Sequence, residues 1–168
     1  MLAKDKSKII ENLNTIETLN FEFVQISYDK KEKGICFLKR PHFLKCIYKD
    51  QNEKELIVNR GNLVIYHKKY NKSYFYPVSK SYFMDILDKK KFKDLVLKGD
   101  LRLNNKFIEL KYNSEKKGEI IFFFDKEKLD LSGWKIMDLN RNHTIFSINN
   151  LIKNPNLDKK LFNIPGFN

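Results

Sequence analysis

The sequence predicts a mainly β domain, in which a meander of antiparallel strands curls into a barrel or half-barrel with two helices on its concave side. Three observations support this fold class. About ten short stretches have strand-like apolar patterns between turn residues. Only two stretches show helical spacing. The strands follow one another with short connections, which is typical of a meander.

The first element is an amphipathic helix, predicted over residues 7–19 with Ser7 as its N-cap. One apolar stripe at helical spacing supports it, formed by Ile9, Ile10, Leu13, Ile16 and Leu19. From Phe21 onward the apolar period changes to two. Residues 21–28, FEFVQISY, are therefore predicted to form the first strand.

Residues 34–48, GICFLKRPHFLKCIY, predict a hairpin that turns at Arg40-Pro41. Both of its faces are apolar: one carries Cys36, Leu38, Leu44 and Cys46, and the other carries Ile35, Phe37, Phe43 and Ile47. An ordinary antiparallel surface hairpin has one polar face. We therefore expect both faces of this hairpin to be covered.

The remaining strands follow in order, and one helix interrupts them. Strands are predicted at residues 54–59, 63–67, 73–77, 101–112 (a hairpin turning at Asn104-Asn105), 119–124, 134–139 and 143–148. Residues 79–92, SKSYFMDILDKKKF, have apolar residues at helical spacing and predict a short helix, with Ser79 or Ser81 as its N-cap. The two helices are expected to lie together on the concave face.

The chain is basic, with 33 Lys and Arg against 21 Asp and Glu and a formal net charge of +12. Nearly all of the positive charge is lysine spread along the chain, which favours a generally solvated basic surface. A basic nucleic-acid-binding β-domain is the alternative, and it predicts strongly salt-dependent binding. The 14 Phe and 8 Tyr are distributed over both faces of the strands, which favours a core or an apolar cavity over an open base-stacking platform.

The sequence contains no motif that indicates catalysis. It has neither a P-loop nor a GxSxG motif, and His42, His67 and His143 have no metal-ligand partner at helical or strand spacing. We therefore expect a protein that is not an enzyme and that needs no cofactor or metal.

The two cysteines, Cys36 and Cys46, are too few for a disulfide scaffold and lack zinc spacing. In the predicted hairpin they lie directly opposite each other, where Cβ atoms are about 4.5–5.5 Å apart. A disulfide is geometrically feasible there. Two buried thiols that act as small apolar residues are favoured.

Length and composition indicate one domain over residues 1–168. No stretch is long and apolar enough to span a membrane. The N-terminus, MLAKDK, lacks the apolar region of a signal peptide. The chain is therefore either cytosolic or a mature form from which a signal peptide has been removed.

A series of spaced landmarks runs along the chain. They are Leu19, Phe21, Phe23 and Gln25, then Gly34, Leu38-Lys39-Arg40-Pro41, Tyr48, Ile57-Val58-Asn59-Arg60-Gly61 and Tyr66, then Gly133-Trp134, Asp138, Asn142 with Thr144, and LFNIP at 161–165. This order resembles the periplasmic outer-membrane lipoprotein carrier family, LolA, over residues 7–165.

The resemblance implies an incomplete antiparallel β-barrel, or half-barrel, closed by the N-terminal helix and the short inserted helix. It implies a monomeric periplasmic chaperone that takes acylated lipoproteins from an inner-membrane ABC-type release complex and delivers them to an outer-membrane acceptor lipoprotein. No lipobox cysteine of the acceptor type is present, which favours the carrier. The signal peptide is then presumed to have been removed.

The resemblance also assigns candidate site residues. Arg40, with Pro41, is expected to clamp the lid, since its guanidinium suits backbone carbonyls at a helix end; the alternative is an ordinary turn arginine. The expected acyl-chain cavity is lined by Cys36, Leu38, Leu44, Cys46, Tyr48, Phe83, Met84 and Leu87. The helical members of this set also suit a plain core. A lipid- or lipoprotein-sensing regulatory module on the same fold is the second functional alternative, usually marked by an additional domain.

Overall fold

The computed structural model describes residues 2–166, which form one eleven-stranded antiparallel sheet with three α-helices. The strands are β1 Thr18–Ser27, β2 Lys30–Lys39, β3 Phe43–Tyr48, β4 Lys54–Asn59, β5 Asn62–His67, β6 Lys72–Pro77, β7 Asp100–Leu103, β8 Phe107–Ser114, β9 Gly118–Asp125, β10 Leu131–Met137 and β11 His143–Lys153. The helices are α1 Leu2–Asn14, α2 Phe83–Leu87 and α3 Lys89–Lys98. No helix in the described range has the length and apolar composition needed to cross a membrane.

The sheet consists of two meanders joined by the first and last strands. Strands β1 to β6 pair in sequence order, β7 to β11 do the same, and β1 pairs with β11. The outer strands β6 and β7 do not pair with each other, so the barrel stays open between them. This confirms the predicted mainly β half-barrel with helices. The chain that links β6 to β7 supplies α2 and α3.

Alternation along the strands separates a concave core face from a convex face. In β9, Ile120, Phe122 and Phe124 are buried, whereas the residues between them are half-buried. Aromatic rings stack across the concave side: the ring centroids of Trp134 and Phe146 are 4.3 Å apart. The aromatic rings on this concave face therefore belong to the core.

The N-terminal helix lies earlier in the chain than the predicted residues 7–19. Ser7 is inside α1 and so is not its N-cap. Ile16 is buried in the connection after α1, and Leu19 lies in β1 opposite Leu38. Ile16 and Leu19 continue the helical spacing of α1, although one lies in a connection and the other in a strand. The predicted end of the helix was wrong for this reason.

The inserted helix is also different from the prediction of one helix over residues 79–92. It consists of α2 and α3, separated at Asp88, and it continues to Lys98. The Asp88 carboxylate accepts hydrogen bonds from the backbone N–H groups of Lys90 and Lys91, which caps α3. The first helix starts after Tyr82 rather than after either predicted serine. An internal N-cap ends one helix and begins the next.

The predicted strands are present, with some shifted ends. The β7–β8 hairpin turns at Asn104, whose side chain accepts hydrogen bonds from the backbone N–H groups of Lys106 and Phe107. Strand β11 runs to Lys153, five residues beyond the predicted end. Its extra residues pair with β1 and are partly or fully exposed, so they carry no apolar pattern.

The convex face of β3 to β5 is covered by the C-terminal segment, residues 159–166. Phe162 is fully buried, and its ring centroid lies 5.3 Å from that of Phe43. Ile164 forms a second small core with Ile57 and Val64. This segment covers Phe43 on the outward face of the β2–β3 hairpin, whereas Ile35, Phe37 and Ile47 on that face are half-buried. The expected cover of both hairpin faces is therefore complete on the concave face alone.

Candidate functional site

A cavity of about 390 Å³ lies between the concave face of the sheet and the helices. Its size is within the range of about 300–1,000 Å³ that is usual for ligand sites. The wall is mostly apolar and includes Leu38, Leu44, Ile65, Phe124, Trp134 and Phe146 from the sheet. The helices contribute further apolar side chains, including Ile9, Leu13, Phe83, Leu87 and Phe92. Both meanders and all three helices therefore enclose one apolar space.

Six of the eight side chains expected at a cavity line this one: Leu38, Leu44, Cys46, Tyr48, Phe83 and Leu87. The other two do not. Cys36 is fully buried in the core beside Cys46, and Met84 is half-buried against the core. The sequence did not show which side of α2 carries Met84, because this helix has only five residues and its apolar stripe is too short to define a face.

Cys36 and Cys46 are joined by a disulfide across β2 and β3. The interpretation of these residues as two free thiols was therefore wrong. They are direct cross-strand partners, and their Cα atoms are 4.1 Å apart. This close approach brings the two sulfur atoms together, and Cys46 presents its side of the bond to the cavity.

Arg40, directly after β2, lies buried beneath the helices. Its Nε donates to the carbonyl of Leu87 at 3.1 Å, and its Nη2 donates to the carbonyl of Ile86 at 3.1 Å. Its Nη1 donates to the carbonyl of Ile16 at 3.0 Å. The first two acceptors are orphan carbonyls at the end of α2. One guanidinium therefore connects α2 to the segment between α1 and β1.

The charge on Arg40 is retained at neutral pH despite its burial. Burial lowers the pKa of the guanidinium to about 10, and the nearby Glu17 carboxylate acts in the opposite direction. The Arg40 backbone N–H also donates to the Glu17 carbonyl at 2.9 Å. The Arg40-Pro41 peptide bond is cis, and Pro41 is exposed in the turn. Of the two residues assigned to the clamp, it is Arg40 that contacts the helices.

Other side chains hold the helices over the cavity. The hydroxyl of Tyr82 donates to the Gly118 carbonyl at 2.5 Å, and Lys117 pairs with Asp85 at 2.5 Å. Both contacts connect α2 to the β8–β9 turn. Lys89 donates to the carbonyl of Asn14 at 3.1 Å, which connects α3 to α1. The helices are therefore attached to each other and to both meanders.

The cavity is polar at the end far from Arg40. The polar lining side chains there are Gln25, Tyr48, Lys54, Asp138, Asn142 and Thr144. The Tyr48 hydroxyl donates to Gln25 at 2.7 Å, and burial raises the pKa of this phenol, so it stays protonated. Lys54 pairs with Glu32 at 2.7 Å.

Most of these polar groups were landmarks of the family resemblance, but none except Tyr48 was assigned to the site. These residues are far apart in the sequence, so their proximity could not be read from local patterns. Gln25 lies late in β1 and Thr144 early in β11, and only the pairing of these two strands brings their ends together. Lys54, at the start of β4, was indistinguishable in the sequence from the many surface lysines.

The arrangement offers apolar burial with a hydrogen-bonded polar group at each end. In residues 2–166, no three His, Cys, Asp or Glu side chains are grouped so that they could hold a metal ion. Polar side chains of the wall have partners in the protein: Tyr48 donates to Gln25, Lys54 pairs with Glu32, and Arg40 donates to backbone carbonyls. The cavity is therefore suited to receive an apolar ligand.

These features define a class of protein: an open antiparallel half-barrel with a helical lid over an apolar cavity. The chain belongs to the family of the outer membrane lipoprotein carrier protein LolA, whose family model matches residues 14–165. The resemblance in the sequence landmarks is thereby confirmed. No sequence among the curated proteins matches the chain.

Solved structures of the same fold are distant in sequence. An uncharacterized conserved protein from Thermus thermophilus has a TM-score of 0.59 and 9% identity, with 99% of this chain and 96% of that chain covered. A putative outer membrane lipoprotein-sorting protein domain from Vibrio parahaemolyticus has a TM-score of 0.51 and 9% identity, with 96% and 94% covered. A chain of the Pseudomonas aeruginosa MucA/MucB complex has a TM-score of 0.54 and 11% identity, with 96% and 60% covered. At these identities the likeness shows the fold alone.

Proposed function

We propose that this protein carries acylated lipoproteins through an aqueous compartment by sheltering their acyl chains in the cavity beneath the helices. The observation that carries the proposal is the apolar space of about 390 Å³ enclosed by both meanders and three helices. Family membership supports the same role. The mostly apolar wall supports a binding role rather than a catalytic one.

The energetics of acyl chains require such a site. Each CH₂ group removed from water contributes about 0.8 kcal/mol, so two or three long chains are held in a membrane by tens of kcal/mol. A carrier must replace this apolar environment. The closed cavity lies at the small end of the usual range of about 300–1,000 Å³, so several chains need the helices to move outward.

Arg40 is proposed to restrain this outward movement of the helices. Its three hydrogen bonds hold α2 and the α1–β1 connection in place when the cavity is closed. Each such bond is worth only about 1.5–3 kcal/mol before the cost of burying the charge, so acyl burial can offset their loss. A clamp of this strength allows both loading and release.

The proposed route places the protein in the periplasm as a monomer. It receives lipoproteins from an inner-membrane ABC-type complex, which supplies the energy for extraction, and delivers them to an outer-membrane acceptor lipoprotein. The family description and the lipoprotein-sorting relative support this placement. The sequence contains no P-loop for energy of its own.

A second candidate is a sensing module that binds a lipid or lipoprotein and acts on a protein partner. The structural likeness to a chain of the MucA/MucB complex supports it. This candidate predicts acyl binding without delivery to a membrane acceptor. Delivery assays therefore distinguish it from the carrier.

A pull-down with paired lipoproteins tests the proposal. Purified protein is incubated with an acylated lipoprotein and, separately, with the same lipoprotein whose lipidated cysteine is replaced by serine. We expect capture of the acylated form alone. Equal capture of both forms, or of neither, contradicts acyl-chain carriage. Retention of cargo by Arg40→Leu, in the presence of the acceptor to which the wild type transfers it, would support the clamp.

A further inference from the structure

Exposed aromatic side chains are concentrated on strand β6 and the turn before it. Among the described residues, eleven large apolar or aromatic side chains are exposed, and four of them are Tyr70, Tyr74, Phe75 and Tyr76. The other seven are spread over the rest of the chain. We call residues 68–77 the aromatic edge. Tyr74 and Tyr76 share the concave side of the edge strand, and Phe75 lies on its convex side. Such a concentration of exposed apolar side chains usually marks an interaction site.

The aromatic edge is also basic. The segment 68–80, KKYNKSYFYPVSK, contains Lys68, Lys69, Lys72 and Lys80 and no acidic residue. All four lysines are exposed. None of them forms an ion pair with another residue in the described part of the chain. Their charges are therefore available to an anionic partner.

The ends of β6 disfavour a partner that adds a strand. Among the strands of residues 2–166, β6 pairs only with β5, so its outer backbone edge is open. The strand begins with Lys72 and ends with Pro77, and edge lysine and proline are residues that block strand addition. Side chains rather than backbone groups are then the recognition elements of this surface. Tyrosine and lysine together suit the headgroup region of a bilayer.

The aromatic edge is continuous with the cavity wall. Tyr74 lies directly opposite Ile65 on β5, and Ile65 lines the cavity. At the polar end of the cavity, Lys54 is the cross-strand partner of His67, which in turn is opposite Lys72. Cross-strand partners share a face of the sheet, so the wall extends outward to the edge strand.

We propose that the aromatic edge binds the surface of a bilayer that contains anionic phospholipids. Its tyrosines insert at the level of the headgroups, and its lysines bind the lipid phosphates. This contact places the polar end of the cavity beside the membrane. It goes beyond the carrier role and does not require it, because the protein without cargo is expected to bind.

Vesicle co-sedimentation of the full chain without lipoprotein tests the charge requirement. We expect binding to vesicles of equal parts phosphatidylglycerol and phosphatidylcholine, with loss of binding at high salt, and no binding to phosphatidylcholine alone. The triple variant Lys68→Gln, Lys69→Gln, Lys72→Gln should bind about a hundredfold more weakly, since each lysine near an anionic surface contributes about 1 kcal/mol. The matched variant Lys106→Gln, Lys126→Gln, Lys128→Gln loses the same charge from exposed turns of the other meander. It should bind close to wild type.

A quenching experiment tests the position of the aromatic edge. In a Trp134→Phe background, Tyr76→Trp places the single tryptophan on the edge, and Leu103→Trp places it at an exposed site on β7. Phosphatidylglycerol vesicles with brominated acyl chains should quench the first variant and leave the second unchanged. Circular dichroism checks that both variants are folded.

Three results would overturn the proposal. They are equal binding to both vesicle types, wild-type binding by the triple variant of the edge, or equal quenching of the two tryptophans. The protein could also self-associate when no vesicles are present. If Tyr74→Ser and Tyr76→Ser abolish that self-association, the surface would be assigned to a second copy of the chain instead. If the pull-down shows no acyl-chain capture, the carrier proposal fails, but the expected vesicle binding and quenching of the aromatic edge stay the same.

Discussion

Both faces of the sheet at β3 to β5 carry apolar residues, but they differ in what covers them. On the convex face, Val64 packs against Ile57 and Ile164, and the C-terminal segment fills the space. On the concave face, the next residue, Ile65, lines a cavity of about 390 Å³. The apolar pattern therefore determines that both faces are covered. Which face stays hollow is determined by how completely the covering segment packs.

The largest effect is expected on the filled face. Phe162→Ala removes a fully buried ring that stacks on Phe43. We expect the free energy of unfolding to fall by about 3–5 kcal/mol, measured by chemical denaturation. Tyr76→Ala, at a half-exposed position, is the control and should change it by less than about 0.5 kcal/mol. Similar losses for both variants would show that the C-terminal segment does not seal this face.

Substitution of Arg40 should make local opening of α2, over the cavity, easier. Arg40→Met keeps an apolar stem but loses three hydrogen bonds to backbone carbonyls. We expect the opening free energy of α2 to fall by about 2–3 kcal/mol, measured by hydrogen exchange. Amides of β9, in the core, should keep their protection. Uniform loss of protection in α2 and β9 would instead indicate a global structural role for Arg40.

Substitutions at the neighbouring positions 64 and 65 should affect the two faces differently. Val64→Phe adds volume to a packed face and should cost about 1–3 kcal/mol of unfolding free energy. Ile65→Phe adds volume to the cavity and should cost less than about 1.5 kcal/mol. It should also reduce acyl-chain capture, which Val64→Phe should leave unchanged once the protein is folded. Equal destabilisation by the two changes would mean that the concave face is packed as tightly as the convex face.

The smallest effect is expected at the polar end of the cavity. Tyr48→Phe removes the hydrogen bond to Gln25 and preserves the ring. The expected loss is about 0.5–1.5 kcal/mol of unfolding free energy, measured by thermal denaturation. Tyr66→Phe, which removes an exposed hydrogen bond to Asn71, serves as the control and should cost less.

Local signals in the sequence were sufficient for much of the fold. Alternation within strands and the Arg40-Pro41 turn depend on neighbouring residues, so the β2–β3 hairpin and its register were predictable. The break at Asp88 was missed because an aspartate within a helical pattern has the same spacing whether it caps a helix or lies in solvent. The end of β11 was missed because its pairing with β1 involves few buried residues.

The site was less predictable than the fold because it depends on contacts between distant segments. Arg40 was identified through the family resemblance, but its acceptors at Ile16, Ile86 and Leu87 lie on two separate elements. The opposition of Cys36 and Cys46 followed from the hairpin register. Their bond did not, since the same register suits two thiols.

Trp134, the single tryptophan of the chain, lines the cavity and reports directly on whether acyl chains enter it. The protein is titrated with a synthetic diacylated lipopeptide whose acyl chains carry bromine, and tryptophan emission is recorded. We expect saturable quenching by this lipopeptide and no change with the same peptide lacking acyl chains. Binding of the lipopeptide without quenching, or no binding at all, would contradict an acyl-chain site on the concave face.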